Sequence, residues 1–259
     1  MPKRLEGKVA IVTGSGTGIG QAIAERLAQD GAAVVIDYRG PGELAGAQET
    51  EQHIAAAGGK AILGHADVTS LADTQKLVDQ AWTQLGRCDV LVNNAGIEKG
   101  ADFWDVSEAD YDAVLNVNLK GAFFLTQFFV RRLLAAKQSG RIINISSVHE
   151  DMVFPHFATY AASKGAMRML MRNLAVELGP HGITVNNVAP GAIITPINKK
   201  LLDNKQQLDA LLNNIPLGRM GKPEEVAGLV AFLASDDAAY VTGSTYVLDG
   251  GLMRNYKEQ

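Results

Sequence analysis

Short apolar runs recur along this chain, each followed by a longer stretch with helical spacing. "VAIVTG" (9–14) reads as a buried strand, and "GIGQAIAERLAQDG" after it as a helix ended by Gly31. The same pairing repeats with "AAVVIDY" (32–38) and the helix 43–59, then with "AILGHADV" (61–68) and the helix 71–86. "CDVLVNNAG" (88–96) is a fourth strand. A helical region from Ser107 to Lys137 follows, with an expected interruption near Asn116–Gly121. "GRIINISS" (140–147) leads into a helix over Ala158–Leu178, and "ITVNNVAPG" (183–191) is a sixth strand. "PEEVAGLVAFLAS" carries Pro223 at its first turn, and "GSTYVLDGG" closes the pattern. Strands that are apolar throughout must be buried on both faces. The pattern therefore predicts a single-domain α/β fold: a doubly wound parallel sheet of about seven strands with helices on both faces.

No linker, low-complexity tract or charge block divides the chain, so residues 1–259 are expected to form one domain. The segment 191–222 breaks the rhythm with Pro196, Pro216 and a short helical patch. An excursion of that length is a candidate lid or substrate loop. The net charge of −4 disfavours a nucleic-acid partner. One cysteine, Cys88, excludes an internal disulfide and suits a reducing cytoplasm. The apolar run near the N-terminus is too short for a signal peptide, and no run looks long enough to span a membrane. No metal is expected, because no His/Cys/Asp cluster has ligand spacing.

Gly14, Gly18 and Gly20 fall between the first strand and the first helix. Missing side chains there permit a tight turn and close approach of a pyrophosphate to a helix N-terminus. The spacing is G-x-x-x-G-x-G, and no Lys-Ser or Lys-Thr follows, which argues against a P-loop. At the end of the second strand stand Asp37, Tyr38 and Arg39. An acid there accepts from the adenosine ribose, and a base there holds a 2′-phosphate, so both NAD and NADP are expected.

Tyr160 and Lys164 are four residues apart on a helix, hence on one face. A free phenol has a pKa of about 10 and is a poor base at neutral pH. A neighbouring ammonium is expected to lower it.

"TGSGTGIG", "NNAG" (93–96), "NVNLKG" (116–121), "NISS" (144–147), "YAASKG" and "APGAIITP" occur in that order. By these motifs the chain resembles the short-chain dehydrogenase/reductase family, with its Rossmann-type fold, over essentially its whole length. The likeness is closer still to bacterial glucose 1-dehydrogenases, through Asn93–Glu98, "SSVHE" (146–150) and the "PGAI-x-TPIN" pattern over 190–198. The resemblance implies Tyr160 as acid–base residue, Lys164 as its partner, and Ser147 as the serine holding the reacting oxygen. Asn118 would support Lys164 through an ordered water. A pyrophosphate turn of Gly14, Thr17, Gly18, Ile19 and Gly20 is implied as well. Asp37, Tyr38 and Arg39 would flank the adenosine ribose, with Asp67 and Val68 on the adenine. Asn94, Ala95 and Gly96 would line the nicotinamide ribose, which Tyr160 and Lys164 also face. Pro190, Gly191, Ile193 and Thr195 would cradle the nicotinamide. Glu98, His149 and Asn198, beside Ser147 and Tyr160, would bind a sugar.

The activity implied is oxidation of the anomeric hydroxyl of β-D-glucose to glucono-lactone with NAD or NADP. An alternative is an NADPH-dependent carbonyl reductase for a keto-sugar, keto-ester or β-keto-acyl substrate. A remote one is a nucleotide-sensing regulator without turnover. Three departures from the glucose enzymes stand out. Ile194 occupies a position expected to be polar, "DMVFPHFAT" lacks the aromatic content of those enzymes, and the tail "LMRNYKEQ" differs. Apolar residues around the helices 107–137 and 158–178 predict a homo-oligomer, and the family resemblance implies a homotetramer.

Overall fold

The structure is a computed structural model and describes residues 3–255, without the side chains of Ile197, Lys199 and Lys200. Seven strands form one sheet: β1 (Val9–Val12), β2 (Ala33–Tyr38), β3 (Lys60–His65), β4 (Val90–Asn93), β5 (Gly140–Ile145), β6 (Ile183–Pro190) and β7 (Thr245–Leu248). Their order is β3-β2-β1-β4-β5-β6-β7, and every pairing is parallel. This is the doubly wound sheet expected from the apolar runs. All residues of β1, β4 and β6 are buried, which is why those runs do not alternate.

Successive residues of each strand feed opposite cores. Ala10, Val12, Val34, Ile36, Val90, Val92 and Ile143 pack on one face, with Ile23 and Leu27 of α1 (Gly18–Gln29) and Val226 and Val230 of α9 (Pro223–Ala234). Val9, Ile11, Val35, Leu91, Ile142 and Val185 pack on the other. There they meet Leu77 of α3 (Leu71–Leu85), Leu125, Phe129 and Leu133 of α5 (Ala122–Ala136), and Met171 of α6 (Ala158–Leu178). α2 (Pro41–Ala56) borders β2 and β3.

The expected interruption at Asn116–Gly121 takes a particular form. α4 (Glu108–Leu115) and α5 are not separated; one π-helical turn over Asn116–Gly121 joins them. The resulting helix, Glu108–Ala136, is 29 residues long and, by length and composition alone, apolar enough to cross a membrane. This corrects the expectation that no such segment exists. Its burial of Leu125, Phe129 and Leu133 against the sheet makes it a core helix.

Between β6 and α9 the chain leaves the sheet through a turn at Pro196–Asn198, α7 (Lys199–Leu202) and α8 (Lys205–Asn214). A parallel bridge between Ile193 and Gly221 closes the base of this excursion. It lies over the C-terminal end of β6, the edge where ligands of such sheets bind.

Candidate active site

A cleft of about 600 Å³ opens along the C-terminal edges of β1, β2, β4, β5 and β6. It sits at the point where strand order reverses between β1 and β4. At its centre, the turn after β1 brings Gly14 and Gly18 to φ of +59°, a conformation open to glycine. A Cβ on Gly20 would lie 2.3 Å from the Gly14 carbonyl oxygen, so α1 can start this close to the turn only with glycine there. Thr17 and Ile19 complete the cradle. Thr13, which the motif reading passed over, fastens it to β4. Its hydroxyl accepts from the backbone N–H groups of Asn94 and Ala95, both at 2.9 Å. The Asn94 amide in turn donates to the Thr13 and Gly14 carbonyls. Asn94, Ala95 and Gly96 are thereby held on the cleft wall.

At the adenosine end, β2 runs on to Tyr38, which separates the roles of the three residues there. Asp37 is buried beneath the turn, where Oδ2 accepts from Gly14 N at 3.1 Å. Burial pushes its carboxyl up to about 8, against the pull of that hydrogen bond. Its Oδ1 is buried with no hydrogen-bond partner. An orphaned acceptor at that point of the wall fits a ribose hydroxyl. Arg39 also lines the cleft, and its Nη2 is 3.2 Å from Glu43 Oε1. The Tyr38 ring stacks on His65 at 5.1 Å and does not line the cleft, unlike its neighbours Asp37 and Arg39. Asp67 and Val68 do line it. Asp67 Oδ1 accepts from the backbone and hydroxyl of Thr69, and Ser70 caps α3 instead.

Pro190, Gly191, Ile193 and Thr195 form the opposite lip, with Leu211 of α8 and Leu252 near the C-terminus. Asn198 faces the cleft too, but its amide donates to the Ile193 carbonyl at 2.7 Å. Of the tail, Leu252–Arg254 forms a short turn, and residues 256–259 lie outside the described residues.

The reactive groups gather where β5 meets α6. Ser147 caps the turn Val148–Glu150, and its Oγ lies 3.0 Å from His149 Nδ1. Tyr160 and Lys164 project from α6 into the same space, with Lys164 Nζ 5.5 Å from the phenol ring centroid. Nζ is buried and donates to the Ile145 carbonyl at 2.9 Å.

The electrostatics differ from the sequence expectation. The Tyr160 phenol is pushed up, to about 12, rather than down. Burial is the main cause; the Ser147 hydroxyl opposes it, and the Glu98 carboxylate adds to it. Lys164 is itself pushed down to about 8 by burial, with Glu150 and Glu98 working against the shift. Burial also raises Glu98 and lowers His149, so that side of the cleft favours a neutral imidazole.

Asn118 is fully buried and does not line the cleft. Its Oδ1 accepts from Ile97 N at 2.8 Å, and its Nδ2 donates to Ile97 O and Ser163 Oγ. Both amide hydrogens are thus spent on protein, and the side chain holds the 96–98 backbone in place. The π-helical turn is what aims it inward. The segment after Glu150 contributes two aromatic residues to the cleft. Phe154 and Phe157 line the cleft, and both rings pack on His149.

Comparison with known proteins agrees with this geometry. The family model described as enoyl-(acyl carrier protein) reductase matches residues 14–253. The chain belongs to the short-chain dehydrogenase/reductase family. It is 44% identical to 3beta-hydroxysteroid dehydrogenase 1 of Eggerthella lenta, over 96% of this chain and 94% of that one. It is 42% identical to L-rhamnose 1-dehydrogenase (NAD(P)(+)) of Azotobacter vinelandii, over 96% and 97%. Glucose 1-dehydrogenase of Gluconobacter oxydans is 38% identical, over 96% and 93%. A crystal structure of a gluconate 5-dehydrogenase from Burkholderia cenocepacia with NADP and tartrate superposes with a TM-score of 0.92, at 37% identity and 98% coverage of both chains. The chain is an NAD(P)-dependent dehydrogenase/reductase with a small-molecule substrate.

Proposed function

We propose that this oxidoreductase oxidises the anomeric hydroxyl of β-D-glucose to glucono-lactone. The observation that carries this reading is the meeting of Glu98, His149 and Asn198 with Ser147 and Tyr160 around one cleft. A polyhydroxylated substrate satisfies such groups, and an analogue lacking a hydroxyl leaves one unpaired. Relatives named for glucose and L-rhamnose oxidation at position 1 support an aldose.

In this mechanism Tyr160 removes the hydroxyl proton and Ser147 orients the oxygen. When bound, the oxidised nicotinamide supplies the hydride acceptor and a positive charge near the phenol. Lys164 contributes the resident positive charge that favours phenolate. Asn118 positions the loop carrying Gly96 and Glu98. Residues 191–222 act as the lid. We also place the protein in the cytoplasm as a homotetramer. The exposed Phe123 on α5 and the exposed Met169 and Val176 on α6 support burial of these helices against a second copy.

A second reading is carbonyl reduction of a more apolar ketone with NADPH. Phe154 and Phe157 in the cleft favour it, as does a relative named for a 3beta-hydroxysteroid. A phenol raised to about 12 can donate the proton that the reduced oxygen needs. Initial rates on D-glucose, L-rhamnose, D-gluconate and a 3β-hydroxysteroid separate the readings. Turnover of the steroid with none of the sugars overturns the first.

A further inference from the structure

Glu150 is a buried charged group that the mechanism does not use. Glu150 ends the turn that carries Ser147 and His149, and its side chain is 2% exposed. Its Oε2 accepts from Ser146 Oγ at 2.5 Å and from Asn187 Nδ2 at 3.2 Å. Asn187 belongs to a buried ladder across the sheet: it accepts from Asn144, which accepts from Asn93, each at 2.9 Å. The other oxygen, Oε1, is buried without a hydrogen-bond partner, and Arg168 Nε stands 3.8 Å away. Arg168 also bonds Asp151 through Nη1. It lies one helical turn beyond Lys164, just as Lys164 lies one turn beyond Tyr160, so the three share a face of α6. A carboxylate in such a place costs free energy unless its charge is used.

We infer that Glu150 is a positioning residue of the catalytic machinery. Its carboxylate ties the Ser146 side chain to Asn187 of β6, and Lys164 bonds the carbonyl of the preceding residue, Ile145, so the negative charge is held close to the lysine along the chain. The inference rests on the general-base reading of Tyr160. The charged and titratable groups around Lys164 are Tyr160 and Arg168 on its own helix, His149 and Glu150 on the turn, and Glu98 beyond β4. Glu98 borders the cleft, whereas Glu150 is enclosed by protein and water-shielded, so its charge acts through low dielectric. Both Glu150 and Glu98 favour the cationic form of Lys164. A cationic lysine stabilises phenolate; without Glu150 both effects weaken.

The test is the pH profile of kcat for wild type, Glu150→Gln and Glu150→Asp, with D-glucose or another substrate turned over from the panel above. Glu150→Gln keeps the acceptor for Ser146 and Asn187 and removes only charge. Its rising limb is expected to move to higher pH by about one unit, roughly tenfold lower kcat at a fixed pH on that limb. Glu150→Asp is expected to restore the wild-type limb. An unmoved limb in Glu150→Gln, or the same displacement in Glu150→Asp, overturns the inference. If Glu150→Gln does not fold, Arg168→Gln carries the test with the opposite sign. Leaving the Glu150 charge unneutralised is expected to move the limb to lower pH, and no such movement overturns the inference. Tyr160→Phe runs alongside. If it keeps turnover, the general-base reading itself fails; if it is inactive while the Glu150→Gln limb is unmoved, only the role of Glu150 falls.

Discussion

Lys164→Met is expected to make the protein more stable and nearly inactive. Lys164 is 3% exposed, and burial lowers its pKa from 10.5 to about 8. At 1.36 kcal/mol per unit, holding its charge costs the fold about 3 kcal/mol at neutral pH. Methionine fills similar space without that charge. It also loses the hydrogen bond to the Ile145 carbonyl, worth about 1 kcal/mol. The net gain is about 2 kcal/mol, or roughly 4–8 °C in Tm for a chain of this size. The sign follows from proton binding. Between pH 8 and 10.5 the unfolded chain holds the lysine proton more tightly than the folded one does. Wild type therefore gains stability from this group as pH rises through that window, and the variant has no such gain. Activity moves the other way. An ammonium 5.5 Å from the phenol ring at an effective dielectric of about 20 is worth ~3 kcal/mol to the phenolate, about a hundredfold in kcat. Calorimetric melting at neutral and alkaline pH, with initial rates on the same samples, checks both halves. A variant less stable than wild type, or one with undiminished kcat, refutes the reasoning.

Other consequences are as direct. Asp37 has a folded pKa of about 8 against 3.8 in the free residue, so its contribution to stability is full below 3.8 and lost as pH rises through 8. Asp37→Asn is expected to flatten urea-derived stability between pH 4 and 8; an unchanged slope contradicts the burial argument. Glu43 occupies the guanidinium that a 2′-phosphate would use. The pair is exposed, so Glu43→Gln is expected to shift kcat/KM toward NADP by only about two- to fivefold, and a shift toward NAD would be contrary. Phe129 is fully buried between α5 and the sheet, and Phe129→Ala is expected to cost about 3–5 kcal/mol in chemical denaturation with little change in KM.

The sheet was legible because its strands are buried on both faces, so β1, β4 and β6 appear as unbroken apolar runs. Asn116–Gly121 was legible as a disturbance, since asparagine is a poor helix former. Its π-helical form, and the turning of Asn118 toward Ile97, depend on packing that no local pattern encodes. The adjacency of Tyr160 and Lys164 followed from helical spacing, but the direction of their pKa shifts did not. Spacing reports the neighbouring charge and says nothing about the desolvation that outweighs it. Asp37 and Arg39 were both visible as candidates, while the partners that decide their roles, Gly14 and Glu43, are set by the turn and by α2. That Phe154 and Phe157 line the cleft was not legible, because their packing on His149 joins the segment to a turn of different sequence context.

The central claim is that Tyr160 is the proton acceptor of a sugar-oxidising site. It is tested most directly by initial rates of nicotinamide reduction with D-glucose, for wild type and Tyr160→Phe, with NAD⁺ and NADP⁺ separately. The account predicts turnover with both cofactors in wild type, and a fall in kcat of about 10²–10⁴ in the variant with binding of either cofactor retained. Wild type inactive on glucose, or a phenylalanine variant that still oxidises it at a substantial rate, would contradict the account.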